Sequence, residues 1–463
     1  MPFLRSRVVL FLAFAFTLMA DPVSSVAYAV EAALRALDGR LDLLVATMGL
    51  VVSIIALVVL NYRALIARYP QGGGASAAVG EAFGDGWSFL PVGSLVVDFV
   101  LTIAISVSAA ASAVIAYFPV LAPWRLLIAL ALVAMVGGLS LFGNLGRILF
   151  ALMTVSFVAV ATSVLLFSVV AAPLDSAFLD DSAAADPNAL AGAVAVILAF
   201  PVAMALATGV EAPSTAIAQL GGLDSDGRRR FGQLTLWLTL GIVGVLTLTF
   251  AVQATRLGIS IPDKGSTLIA DFARHVAPAP LFGLFQLMTA LLLLAAASSS
   301  FQAGPGLLKA LAVHPSGTNA VGILPAAFGR VNRRHTPYWG LVLFTALSMV
   351  VLAATGADDQ RLVLFYAVAV FLSFLSGLLA MARFTHLARQ RKRFVLNVVG
   401  AAIVAFTLIV NLARGWPLVS LAAAALIAAT LWALWVRAGR PEGIRSIESL
   451  RKQEEGGRDT LAP

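Results

Sequence analysis

Three carboxyl side chains fall where lipid would be expected: Asp21, Asp98 and Glu211 each lie near the middle of a long apolar run. An ionisable group at that depth is costly, and by default it marks an ion, proton or substrate path. No Lys or Arg lies deep in any of the runs, so an internal ion pair is hard to supply. Asp21 is followed by Pro22, Ser24 and Ser25, and Tyr28 comes seven positions later. Proline lacks an N–H and disfavours helix at the residue before it, so the chain is expected to break at about 20–25. Glu211 stands in Thr208-Gly209-Val210-Glu211-Ala212-Pro213, with Pro201 upstream. This reads as a second broken helix, in which Thr208 and Glu211 share a face if helix continues there. Asp98, Thr102 and Ser106 recur at i, i+4 and i+8, a polar stripe on one helix. Tyr366 lies near the start of a late run.

Carboxylates, hydroxyls and carbonyls released by helix breaks make an oxygen cage, which suits a hard cation. Burial disfavours the charged form of a carboxyl, so one acid can carry a proton while another holds the ion. That is the minimum chemistry of proton-coupled cation uptake. An amino-acid substrate fits less well: Asp21 would repel its carboxylate by roughly several kcal/mol at an effective dielectric constant of about 20. A polyamine remains compatible. Taken singly, Thr102 or Ser106 reads equally well as a hydroxyl bonded back to its own helix.

The elements that must hold these residues follow from composition. The chain has 463 residues, 60% hydrophobic and 12% charged, whereas a soluble domain carries about 25% charged residues. A soluble globule, a disordered tail and a collagen-like fibre are excluded, and there is room for about twelve spans of roughly 20 residues. The absence of cysteine excludes disulfides, thiolate nucleophiles and iron–sulfur clusters. His275, His314, His335 and His386 fall in stretches that read as loops, so haem or di-metal chemistry has no ligands in the spans. No resident cofactor and no enzyme activity are expected. The net charge of +8 is assigned to positive charge kept on the cytoplasmic side rather than to nucleic-acid binding.

The spans read as 8–37, 42–66, 88–116, 124–142, 146–172, 189–219, 232–254, 279–303, 338–355, 361–383, 395–412 and 417–436. Even-numbered connections carry Arg63, Arg68, Arg147, the Arg228–Arg230 run, Arg333, Arg334 and Arg389 to Arg393, whereas Asp180, Asp181, Asp358 and Asp359 mark odd ones. The pattern places both termini in the cytoplasm of a multi-pass protein of the cell (inner) membrane. Arg5, Arg7, the run 8–20 and Ala27-Tyr28-Ala29 imitate a secretory signal, but the apolar run resumes at once and reads as a broken first helix. One transmembrane domain, 1–436, is followed by a short polar tail, 437–463. Residues 304–336 are expected to form a short interfacial helix and a loop, and Glu31 and Glu81 to be solvated at membrane edges. The broken spans are the first and sixth, the spacing of a five-plus-five inverted repeat. The partners reduce to the bilayer, a small cation and at most a second copy in a homodimer.

Five segments in order resemble the KimA-type potassium–proton symporters of the amino acid–polyamine–organocation superfamily. They are Asp21-Pro-Val-Ser-Ser-Val-Ala-Tyr28, Tyr69-Pro-Gln-Gly-Gly-Gly74, Asp98-Phe-Val-Leu-Thr102-Ile-Ala-Ile-Ser106, Thr208-Gly-Val-Glu211 and Tyr366-Ala-Val-Ala-Val-Phe-Leu-Ser-Phe374. The resemblance implies an all-α, twelve-helix, LeuT-type fold with discontinuous helices 1 and 6, importing potassium with protons. It also implies that Asp21, Tyr28, Thr102, Ser106, Thr208, Glu211 and Tyr366 line the potassium site, and within that reading Asp21 is expected to coordinate the ion and Glu211, or Asp98, to carry the proton. The alternative on the same scaffold is an amino-acid or polyamine permease. Ser298-Ser299-Ser300-Phe301 departs from the A-N-T-x-F run of the family.

Overall fold

A computed structural model describes residues 7–142, 147–174, 189–220, 223–263, 265–312, 322–415 and 417–441. Arg5, the acidic connection around Asp180 and Asp181, His314 and the tail beyond 441 lie outside the described residues. The α-helices, in chain order, are α1 (Arg7–Leu18), α2 (Ala20–Ser24), α3 (Val26–Ala36), α4 (Leu41–Arg68), α5 (Gly74–Phe83), α6 (Phe89–Tyr117), α7 (Arg125–Ser140), α8 (Arg147–Val170) and α9 (Ala189–Ala203). They continue as α10 (Ala212–Ala216), α11 (Ser225–Leu257), α12 (Leu268–Val276), α13 (Ala279–Ala312), α14 (Tyr338–Thr355), α15 (Asp359–Leu387), α16 (Arg391–Ala413) and α17 (Leu418–Arg437). Among the described residues, 11 helical stretches are long and apolar enough to cross a membrane. The α1–α3 composite precedes them.

Local chemistry sets the ends. Asp224 caps α11 by accepting from the Gly227 N–H at 3.1 Å, and Asp358 caps α15 by accepting from the Gln360 and Arg361 N–H groups. Gly258 and Gly356 end α11 and α14 in the left-handed conformation. Helix α6 is buried along nearly its whole length and packs against α13, α15 and α17. Helices α7, α8, α14 and α17 instead expose large apolar side chains such as Leu139, Leu152, Val350 and Leu426. That much contiguous apolar surface suits lipid and would be a liability in water. Polar bridges tie the bundle inside: Asn61 Nδ2 donates to Asn397 Oδ1 at 3.0 Å, and Asn397 Nδ2 to Thr385 Oγ1 at 3.3 Å, joining α4, α16 and α15.

Several expectations are corrected. The first break is shallow: Met19 and Ser25 keep right-handed helical dihedrals. The hydroxyls of Ser24 and Ser25 donate to the carbonyls of Asp21 (2.7 Å) and Pro22 (2.6 Å), so both side chains bond back to their own turn. The sixth-span break is deep. Helix α9 ends at Ala203, a 3₁₀ turn covers Met204–Ala207, and Thr208 is extended at φ −56°, ψ 141°. Helix does not continue from Thr208 to Glu211, so those two share no helical face. The start of the expected interfacial segment extends the eighth span instead: α13 runs through Pro305 to Ala312, and among the described residues that follow, a 3₁₀ turn covers Ala326–Gly329. Two short helices, α5 and α12, fill connections that read as loops, and His275 lies in the second of them.

Candidate functional site

The two breaks meet. Gly209 has φ +68°, and a Cβ built there would lie 2.8 Å from both Asp21 Oδ2 and Pro22 Cδ. Only glycine combines that dihedral with so close an approach. Ser25 Oγ also lies 3.3 Å from the Leu206 carbonyl, and Ser214 donates to the Glu211 carbonyl at 2.7 Å. The upper half of the sixth span is held from α16: Asn411 Nδ2 donates to Pro201 O at 2.9 Å.

Beside this crossing is a cavity of about 420 Å³ lined by Asp21, Asp98 and Glu211, and by Phe99, Ser300 and Gln302 among others. The three acids that lie far apart in sequence therefore face one space. Asp98 is an electrostatic neighbour of both Asp21 and Glu211. Among the described residues, no basic side chain pairs with any of the three. The remaining expected residues are packed behind the cavity. Tyr28, Thr102, Ser106, Thr208 and Tyr366 are all buried. Thr102 Oγ1 lies 3.4 Å from the Tyr366 hydroxyl, Tyr366 is an electrostatic neighbour of Asp98, and Tyr28 is one of Asp21.

Oxygen atoms dominate this region, and several have no protein partner: Asp21 Oδ1, Asp98 Oδ1, Glu211 Oε2, Ser106 Oγ and Thr208 Oγ1. A buried polar atom without a partner costs about 1–3 kcal/mol, so a cluster of them is retained only where something else satisfies it. The oxygens fit a hard cation. They do not form a dense transition-metal site: among the described residues, no three His, Cys, Asp or Glu side chains are grouped to hold one metal ion.

The cavity opens toward one face. Thr215 of α10 and Ala303 of α13 line it and are exposed, whereas Tyr28, Ser106 and Tyr366 on the opposite side are sealed. The open side is that of the C-terminal half of α13 and the N-terminal end of α11 with Arg229 and Arg230.

Sequence reasoning missed two contributors. Tyr62 of α4 is fully buried and is an electrostatic neighbour of Glu211 and Asp98. Its signal was a polar pair, Asn61-Tyr62, placed where an interfacial aromatic is ordinary. Gln302 and Ser300 supply the α13 wall, and Gln302 lies beyond the residues singled out in that span. Glu31 was misplaced: it is only 3% exposed and is bound by Arg35 and by a backbone N–H.

Comparison with known proteins agrees with this architecture. The family described as amino acid permease matches residues 10–442. The potassium transporter KimA of Bacillus subtilis strain 168 is 29% identical over 371 residues, which covers 77% of this chain and 58% of the relative. The chain thus spans somewhat over half the length of that curated relative. A mutant of the manganese transporter of Eremococcus coleocola superposes with a TM-score of 0.50 at 14% identity, over 97% of this chain and 96% of the other. That likeness is one of fold. The all-helical bundle, its apolar exterior and the family match over most of the sequence lead to one statement: the chain is a multi-pass membrane protein that belongs to the amino acid permease family.

Proposed function

We propose that the protein is a secondary transporter that carries potassium in symport with protons, with both termini in the cytoplasm of a cell (inner) membrane. The observation that carries this reading is the meeting of Asp21, Asp98 and Glu211, with no basic partner, at the crossing of the first and sixth spans. A zwitterion or an anion would face three carboxyl groups there, and a cation is favoured. In this reading Asp21 coordinates the ion, with Tyr28, Thr102, Ser106, Thr208 and Tyr366 completing an oxygen shell as the site closes. A single potassium ion leaves an excess of negative charge on three carboxyl groups, and protons taken up with it, on Glu211 or Asp98, offset that excess in the low-dielectric interior. Potassium itself is favoured by the sequence likeness to a potassium transporter. The cavity opens on the face that bears Arg229 and Arg230, and by the positive-inside rule that face is cytoplasmic. The state described is then open to the inside.

The test is potassium uptake into proteoliposomes under an imposed proton gradient. Asp21→Asn and Glu211→Gln each lower uptake by about tenfold or more, since each 1.4 kcal/mol of lost stabilisation is worth a factor of ten. Normal potassium flux in both variants refutes the reading. So does accumulation of a labelled amino acid or polyamine in place of potassium.

A further inference from the structure

We infer that Glu31 is a positioning residue of the transport cycle, the latch that holds α12 as a lid over the sealed end of the site. The inference rests on the transport reading above but not on the identity of the cargo. Glu31 lies one helical turn beyond Tyr28 on α3, and both of its carboxylate oxygens are engaged. The Leu268 N–H, at the first position of α12, donates to Glu31 Oε2 at 3.0 Å. Arg35 Nε donates to Glu31 Oε1 at 2.8 Å, and Arg35 Nη2 donates to the Pro262 carbonyl at 3.2 Å on the segment leading into α12. The first N–H groups of a helix have no partner within it, so a carboxylate from another element is a strong external cap. On its other side α12 is tied to the end of α6, where Arg274 Nη2 donates to the Ala116 carbonyl at 2.6 Å.

A second closure lies beside the first. Ser112 Oγ and Arg125 Nη1 both donate to Asp359 Oδ1, at 3.1 and 3.3 Å, and Ser108 Oγ donates to the Ala357 carbonyl at 2.5 Å. These bonds join α6 to the start of α15. Asp359 stands two helical turns before Tyr366, and Ser112 lies beyond Ser106 on α6, so both closures sit directly over the buried residues of the candidate site. Glu31 and Asp359 are electrostatic neighbours, which brings the two closures into one cluster. For an ion to reach Tyr28, Ser106 and Tyr366 from this face, α12 must part from α3, and the Glu31–Leu268 bond must break. When it does, the cavity on the opposite face must close if access alternates.

The absence of native cysteine makes the test direct. Ser108→Cys, a fully buried position at the second closure whose lost bond to Ala357 is common to every protein compared, reports on one face; Ala303→Cys, exposed in the cavity, reports on the other. Maleimide labelling rates are measured at each reporter in purified protein, without potassium or a gradient, so the outcome stands even if the cargo is not potassium. Glu31→Gln keeps the shape but has one acceptor oxygen for two donors, and it is expected to raise labelling at Ser108→Cys by about fivefold or more as the population shifts. Labelling at Ala303→Cys is expected to fall in the same variant. Should Glu31→Gln not fold, Arg35→Gln, which loses the ion pair and leaves the Leu268 bond, is expected to give a smaller shift of the same signs. Unchanged rates overturn the assignment. So does an equal rise at Thr407→Cys, a fully buried position on α16, since general loosening would expose both buried positions.

Discussion

Gly209→Ala separates the contact with Asp21 from ordinary backbone strain. The new Cβ would stand 2.8 Å from Asp21 Oδ2 and 2.8 Å from Pro22 Cδ, closer than side chains tolerate, while φ +68° is unfavourable for alanine. The left-handed conformation costs about 1–2 kcal/mol, and overpacking adds typically about 1–3 kcal/mol. Gly356 supplies the control: it has the same φ of +68°, and a Cβ there meets nothing within 4 Å. Both substitutions therefore carry the strain, and Gly209→Ala alone pushes on the carboxylate and on the proline beside it. Thermal unfolding in detergent and potassium uptake in proteoliposomes are measured on both. Gly356→Ala is expected to lose about 1–2 kcal/mol of stability with uptake retained. Gly209→Ala is expected to lose more stability and to transport about tenfold less or worse, because a displaced ligand group forfeits at least 1.4 kcal/mol of site energy. Unimpaired uptake by a folded Gly209→Ala protein would refute the claim that the sixth-span backbone holds Asp21 in the ion's path.

Tyr366→Phe removes a hydroxyl that accepts from Thr102 Oγ1 at 3.4 Å and lies in the electrostatic neighbourhood of Asp98. It is expected to raise the KM for potassium by roughly fivefold or more, the worth of a hydrogen bond of about 1 kcal/mol, and an unchanged KM counts against its place in the shell. Asn397→Ala strands the buried Asn61 amide, where neither residue lines the cavity, and is expected to cost about 1–3 kcal/mol of stability, read by thermal unfolding. Potassium affinity should be unchanged in the same protein.

The sequence by itself determined the membrane-spanning class, the approximate positions of the helices and the three deep acids. Those properties follow from hydropathy and from the cost of a charge in lipid, both of which are legible one residue at a time. The depth of each break was not. Pro22 and Pro201 look alike in sequence, yet the chain keeps helical dihedrals at Met19 and Ser25 on either side of Pro22, whereas Gly209 lets the second turn out of helix altogether. Only the tertiary structure decided that Asp98 faces the same cavity as Asp21 and Glu211, and that Tyr62 approaches from α4. It also reversed the reading of Glu31, which resembles a solvated edge residue until α12 folds over it and presents a helix N-terminus. Contacts between segments separated by more than 200 residues in the chain depend on how helices pack, and helical periodicity carries no record of which neighbour a face will meet.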